Sequence, residues 1–192
     1  MFDNQTRCPW CLKDALYIRY HDEEWGVSVH EDLKHFEFLV LETMQAGLSW
    51  HTILKKRENF RKAFAGFDVV NVSCYGQQQI NSLMQNSGII RNKMKIEAAI
   101  LNAKSFLKVQ KEFGSFDAYI WRFVNNKQIR NKWKTISQVP THTRTSNLIS
   151  ADLKKRGFKF VGSTTIYAHL QAIGIVNDHL TGCFRYKQVM IL

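Results

Sequence analysis

Leu153-Lys154-Lys155-Arg156-Gly157-Phe158-Lys159-Phe160-Val161-Gly162-Ser163-Thr164-Thr165 reads as the end of one helix, a short hairpin bounded by two glycines, and the start of a second helix. The first turn of a helix carries backbone N–H groups with no partner inside the helix, and such donors suit an anionic phosphate. The two glycines leave no Cβ between the hairpin backbone and whatever approaches it. An ordinary corner between two helices is the plainer reading. Lys154, Lys155, Arg156 and Lys159 shift the balance toward a nucleic-acid backbone. Lys155, Gly157, Lys159, Gly162 and Thr164 are the residues expected to meet it.

Outward from this hairpin the chain keeps a helical period. Helices are predicted over Asp32 to Ala46, Trp50 to Ala65, Gln77 to Ser87, Arg91 to Lys111, Ser115 to Val124, Ser146 to Arg156 and Thr164 to Ile173. Gly47, Gly66, Gly88, Gly114, Gly157 and Gly174 punctuate them, each able to end a helix in the left-handed conformation. Two-residue hairpin signals between alternating apolar runs are missing, so the fold class is all-α. The one long connection, Asn125 to Thr145, is where two lobes would divide. Residues 1–192 are expected to form a single domain, or two intimately packed helical lobes, and no internal repeat is evident.

The chain has 192 residues, 27 Lys plus Arg against 16 Asp plus Glu, and a net charge of +11. This surplus favours a polyanionic partner, because each cation placed on a phosphate releases a condensed counterion. A membrane surface suits it less, since no basic segment carries the bulky apolar face of an interfacial helix. With 45% hydrophobic residues the chain can fill a core, which excludes disorder as its main state. Apolar runs such as Phe38 to Leu41 are too short to span a bilayer. Met1-Phe2-Asp3-Asn4-Gln5 lacks the pattern of a secretory leader, and four cysteines are too few for a disulfide scaffold, so a cytoplasmic location is expected.

Cys8 and His21 lie near one end, and His179 and Cys183 near the other, the latter pair at i, i+4 spacing. Two thiols and two imidazoles suggest a closed Cys2His2 site for one structural zinc, joining the N- and C-terminal segments. Cys8-Pro9-Trp10-Cys11 also reads as a redox pair, but no βαβ pattern follows it. Buried, metal-free core residues are the other alternative for His179 and Cys183.

Glu42 sits on a helix that is apolar nearly all round, between Phe38 and Ala46 on the wheel. A carboxylate there either pairs with a buried base or faces a pocket and recognises a polar ligand. Trp10, Tyr17, Tyr20, Trp25 and Trp50 cluster in the first fifty residues. Flat rings beside a carboxylate can grip a nucleobase, though aromatics are equally ordinary core material.

Tyr20-His21-Asp22-Glu23-Glu24-Trp25-Gly26, Gln45-Ala46-Gly47-Leu48-Ser49-Trp50, Ser87-Gly88-Ile89-Ile90-Arg91-Asn92 and the stretch from Lys154 to Gly162 resemble the 3-methyladenine DNA glycosylase I family, in its order and spacing, over about residues 7 to 186. The resemblance implies a helix-hairpin-helix glycosylase with structural zinc on Cys8, His21, His179 and Cys183. It also implies a base pocket in which Glu42 recognises the lesion, Trp50 stacks on it, and Trp10, Tyr17 and Tyr20 form further walls. The family lacks the catalytic aspartate that most helix-hairpin-helix glycosylases carry after the second hairpin helix. Asp178, in the corresponding neighbourhood, is therefore given no catalytic role. Ala15 and Ser28 stand where the family often has proline, and Cys11 is an extra thiol.

The implied reaction is flipping and hydrolytic excision of 3-methyladenine from alkylated double-stranded DNA, leaving an abasic site and the free base. Methylation at N3 gives the purine a positive charge and makes it a good leaving group, so selection of the base is most of the task. Glu42 is also the first candidate for activating water. The expected protein is a monofunctional enzyme, monomeric, without membrane association, working at the nucleoid. The alternative of another class is a zinc-stabilised nucleic-acid-binding protein without catalysis, which leaves Glu42 and the aromatic cluster unexplained.

Overall fold

Side-chain caps set the start of most helices in the computed structural model, which describes residues 5–190. Met1 to Asn4, most of the segment in which no secretory leader was read, lie outside the described residues. Asp14, Ser49, Asp68, Asn92, Ser115 and Thr143 each accept a hydrogen bond from a backbone N–H in the first turn that follows. They start α1 (Ala15–Glu23), α3 (Trp50–Ala63), α4 (Val69–Ser73), α6 (Lys93–Phe113), α7 (Phe116–Trp121) and α8 (Arg144–Lys155). The remaining helices are α2 (Asp32–Gln45), α5 (Gln77–Gln85), α9 (Ser163–Ala172) and α10 (Arg185–Gln188).

The centre of the fold is α2. Its residues from His35 to Met44 are all buried, which requires neighbours on every side. These are α3, α6, α7 and α9. Buried apolar residues from Tyr20 to Val176 form one continuous cluster around it. No helix of the described residues is long and apolar enough to cross a membrane.

The fold is mostly helical, as the periodicity predicts, with local departures. Helices α1, α4 and α10 were not foreseen. The helix beginning at Trp50 stops at Ala63 rather than Ala65, because Ala65 and Phe67 adopt positive φ. That predicted over Arg91 to Lys111 instead runs two residues later, since Asn92 caps it and Gly114 ends it. Gly88 is not left-handed; an added Cβ would meet the Asn59 and Asn86 side chains at 3.0 Å, so close packing is what it serves. The long connection holds a short strand, β1 (Ile129–Arg130), paired in parallel with β2 (Val176–Asn177), and a 3-10 turn at Ile136–Gln138. That pairing lays the connection against the segment following α9.

Candidate active site and metal centre

Five residues from four separate elements meet at one cavity of about 340 Å³, within the roughly 300–1,000 Å³ usual for small-molecule sites. Trp10 comes from the turn before α1, Tyr17 and Tyr20 from α1, Glu42 from the last turns of α2, and Trp50 from the first turn of α3. The rings brace one another: Trp10 meets Tyr17 edge-on at 5.0 Å and Trp25 at 4.9 Å, and Tyr20 leans on Trp50 at 5.4 Å. Phe38, one turn before Glu42, also stacks on Trp50, at 6.5 Å. The walls are thus positioned by the core itself.

Glu42 is 4% exposed, and its Oε2 has no hydrogen-bond partner among the described residues. Burial alone raises its pKa to about 8. Of the two readings of Glu42 in the sequence, pairing with a buried base is overturned for this oxygen. Arg57, the buried arginine of α3, is taken by Glu37 at 2.8 Å and Glu24 at 2.8 Å. Burial likewise raises the Tyr17 and Tyr20 hydroxyls, with the Glu42 charge adding to both. Trp50 Nε1 is buried and unpartnered too.

The far wall was not legible in the sequence. Ile136, Val139, Pro140 and Thr141 of the long connection, and Thr164, Tyr167, Ala168 and Gln171 of α9, complete the cavity with Trp25 and Gln45. Turn residues and helix periodicity do not announce which surface they face, and the first eight are more than eighty residues from Glu42. Asp178 accepts hydrogen bonds from Asn131 (2.7 Å), Trp133 (2.8 Å), Tyr167 (2.5 Å) and Gln171 (2.7 Å). Both carboxylate oxygens are engaged, in keeping with a structural place for this residue.

Cys8, His21, His179 and Cys183 converge, with all four ligand atoms within 4.8 Å of one another. His179 Nδ1 lies 3.2 Å from His21 Nε2. Cys183 Sγ lies 3.4 Å from His21 Nε2 and 3.6 Å from His179 Nδ1, and Cys8 Sγ is 3.8 Å from His179 Nδ1. A tetrahedral ion with bonds of about 2.3 Å to sulfur and 2.0 Å to nitrogen has edges of roughly 3.3 Å between nitrogens and 3.6 Å between sulfur and nitrogen. The observed edges match. The outer nitrogens are also held, His21 Nδ1 by Asp22 at 2.7 Å and His179 Nε2 by the Trp25 carbonyl at 2.8 Å, the pattern that orients imidazole ligands. Cys11 is outside the set; its thiol donates to the Cys8 carbonyl at 3.1 Å.

The hairpin follows α8. Lys155 is the last residue of α8, and Gly157 adopts φ +92°, a conformation that an L side chain rarely takes. Asn102 of α6 grips the backbone of Lys159 from both sides, donating to its carbonyl at 3.0 Å and accepting from its N–H at 2.7 Å. Ser150 donates to the Val161 carbonyl at 2.6 Å. Gly162 caps α9 at φ −62°, and a Cβ there would meet nothing within 4 Å. Its smallness is therefore not required by the protein's own packing. Thr164, on the first turn of α9, borders the cavity, so the hairpin and the cavity share one helix. Arg156, unlike the lysines, is ion-paired here: Glu112 and Asp152 take its guanidinium at 2.6 and 2.7 Å.

Comparison with known proteins adds independent observations. The sequence profile of the methyladenine glycosylase family matches residues 10–186. The chain is similar to DNA-3-methyladenine glycosylase 1 of Escherichia coli K12, with 47% identity over 94% of this chain and 96% of the relative. A crystal structure of 3-methyladenine DNA glycosylase I superposes with a TM-score of 0.91 at 46% identity, covering 93% of this chain and 98% of that one. A Staphylococcus aureus 3-methyladenine DNA glycosylase I, solved to explain 3-methyladenine recognition, superposes with a TM-score of 0.90 at 36% identity, covering 95% and 97%.

Proposed function

Because the chain belongs to the methyladenine glycosylase family, we propose that it is a DNA repair glycosylase that excises 3-methyladenine from alkylated DNA by hydrolysing the N-glycosidic bond. The observation that carries this reading is Glu42, a buried carboxylate with an unpartnered oxygen in an aromatic cavity. A base inside a duplex is out of reach, so the nucleotide must first leave the stack, at a cost of a few kcal/mol. The hairpin from Gly157 to Gly162 and the first turn of α9, with Lys155, Lys159 and Thr164, hold the phosphates flanking it. Gly157 shapes the turn, and Gly162 leaves room for close backbone approach.

The base then enters among Trp10, Tyr17, Tyr20 and Trp50. Glu42 accepts from its exocyclic amine, and Trp50 offers a π face to the cationic ring. Burial that lifts the Glu42 pKa from 4.5 to about 8 corresponds to a penalty on its ionised form on the order of 5 kcal/mol. A cationic purine supplies the missing counter-charge, and neutral adenine does not. That difference is the source of selectivity. Glu42 is also the first candidate for activating the attacking water.

Cys8, His21, His179 and Cys183 would bind one zinc, which when bound cross-links the two ends of the chain. The four residues and their outer partners keep the turn bearing Trp10 against α1, so the metal's effect on catalysis is through position. The protein works as a single domain and as one chain, in the compartment that holds the DNA. Release of free 3-methyladenine from methylated duplex DNA, abolished or strongly reduced in Glu42→Ala, tests the reading. Undiminished release by that variant would overturn it.

A further inference from the structure

Gln171 and Asp178 fix the hydrogen-bonding character of the wall on the α9 side. Asp178 is 1% exposed and collects four donors, Asn131 Nδ2 and Trp133 Nε1 on Oδ1, Tyr167 Oη and Gln171 Nε2 on Oδ2. All four contacts run from an N–H or O–H donor to one of its two oxygens, so the carboxylate serves here as an acceptor alone. Of the two ends of the Gln171 amide, only the nitrogen can therefore lie on Asp178. Gln171 lines the cavity, and its carbonyl is the end left over. We infer that Asp178 locks the Gln171 amide so that its carbonyl is presented to the cavity as a second acceptor beside Glu42, and that this pair selects a 6-aminopurine over a 6-oxopurine.

This inference rests on the cavity being the base site. An adenine carries two N–H donors on its exocyclic amine, whereas guanine offers a carbonyl oxygen at that position. Glu42 and Gln171 both accept, so a 6-oxo group meets lone pairs and leaves buried acceptors unsatisfied. In this assignment Gln171 is a specificity-determining residue and Asp178 a positioning residue.

The orientation can be inverted. In Asp178→Asn the new side-chain oxygen still accepts from Asn131 and Trp133, while its NH2 faces Tyr167 and Gln171. The Tyr167 hydroxyl can accept one of those hydrogens. Gln171 can accept the other only by turning its carbonyl to residue 178, which sends its NH2 toward the cavity. The amide groups stay paired, the Tyr167 hydroxyl exchanges its acceptor for a donor, and the wall changes from acceptor to donor.

The experiment measures binding of free 3-methyladenine and 3-methylguanine to the metal-loaded protein by calorimetry, with thermal unfolding alongside. The wild type should prefer 3-methyladenine, and Asp178→Asn should lower that ratio by about tenfold or more, with a gain for 3-methylguanine. Gln171→Met, which removes the carbonyl at similar volume, should lower the ratio by losing 3-methyladenine affinity alone. A folded Asp178→Asn or Gln171→Met protein that keeps the wild-type ratio overturns the inference, and Gln171→Met decides alone if Asp178→Asn does not fold. A merely structural role would weaken both bases equally and leave the ratio in place, which also overturns it. Wild-type protein that binds neither base would instead overturn the base-site reading.

Discussion

A carboxylate held without a counter-charge announces itself through pH. Glu42 titrates at about 8 in the folded protein against 4.5 as a free side chain, because burial disfavours its charged form. Its contribution to stability is therefore fully present below pH 4.5 and is lost as pH rises toward 8. Glu42→Gln should flatten that decline, so that the variant melts higher than wild type at pH 8 while excising 3-methyladenine roughly ten- to a hundredfold more slowly, the value of a charged hydrogen bond. On the proposed role, in which the ionised form selects the cationic base, kcat/KM of the wild type should climb with pH through about 8 and that of the variant should not. A wild-type profile flat over this range would remove the charge from the account. At the same scale, Arg156 shows what composition alone conceals. It lies in the basic run, yet Glu112 and Asp152 occupy it and Phe113 lies beneath it at 4.9 Å.

Among the elements, the hairpin was readable because its signal is local: two glycines, a lysine run and helical periods on either side lie within thirteen residues. What holds it was not readable, since Asn102 is 57 residues away from Lys159. The same division applies to the cavity. Its aromatic side and Glu42 stand out as unusual residues on an apolar helix, while Val139, Thr141 and Gln171 have nothing unusual in their surroundings and are assembled only by tertiary packing. Helix α1 escaped the periodicity because it is nine residues long and half-covered, with only Tyr20 and His21 buried. Two outcomes follow for the hairpin. Lys159→Ala should weaken binding to all duplexes alike and reduce the salt slope by about one, measured by titration at several salt concentrations. Asn102→Ala should cost on the order of 1 kcal/mol of stability, since it removes the side-chain partner of two part-buried backbone groups of Lys159, and should lower DNA affinity while leaving the preference among free bases unchanged.

For the whole molecule, the connection that matters is between its ends. His21 and His179 are 158 positions apart and their nitrogens are 3.2 Å apart, so an ion between them closes nearly the whole chain into a loop. Elemental analysis of protein purified without chelator should give one zinc per chain. Cys183→Ala should lower folded yield and melting temperature more than it alters base choice, because a closed site acts through folding. A variant that has lost the metal and melts normally would exclude that role.

The role proposed for Glu42 is to take its counter-charge from a cationic purine. It is tested most directly by single-turnover excision from duplexes carrying 3-methyladenine at one position, comparing wild type with Glu42→Gln across pH 6 to about 9, a span that brackets the Glu42 pKa of about 8. The wild type should release free 3-methyladenine at a rate that rises with pH, and the variant should release it slowly and independently of pH. Equal rates and equal pH profiles for the two proteins would contradict that role.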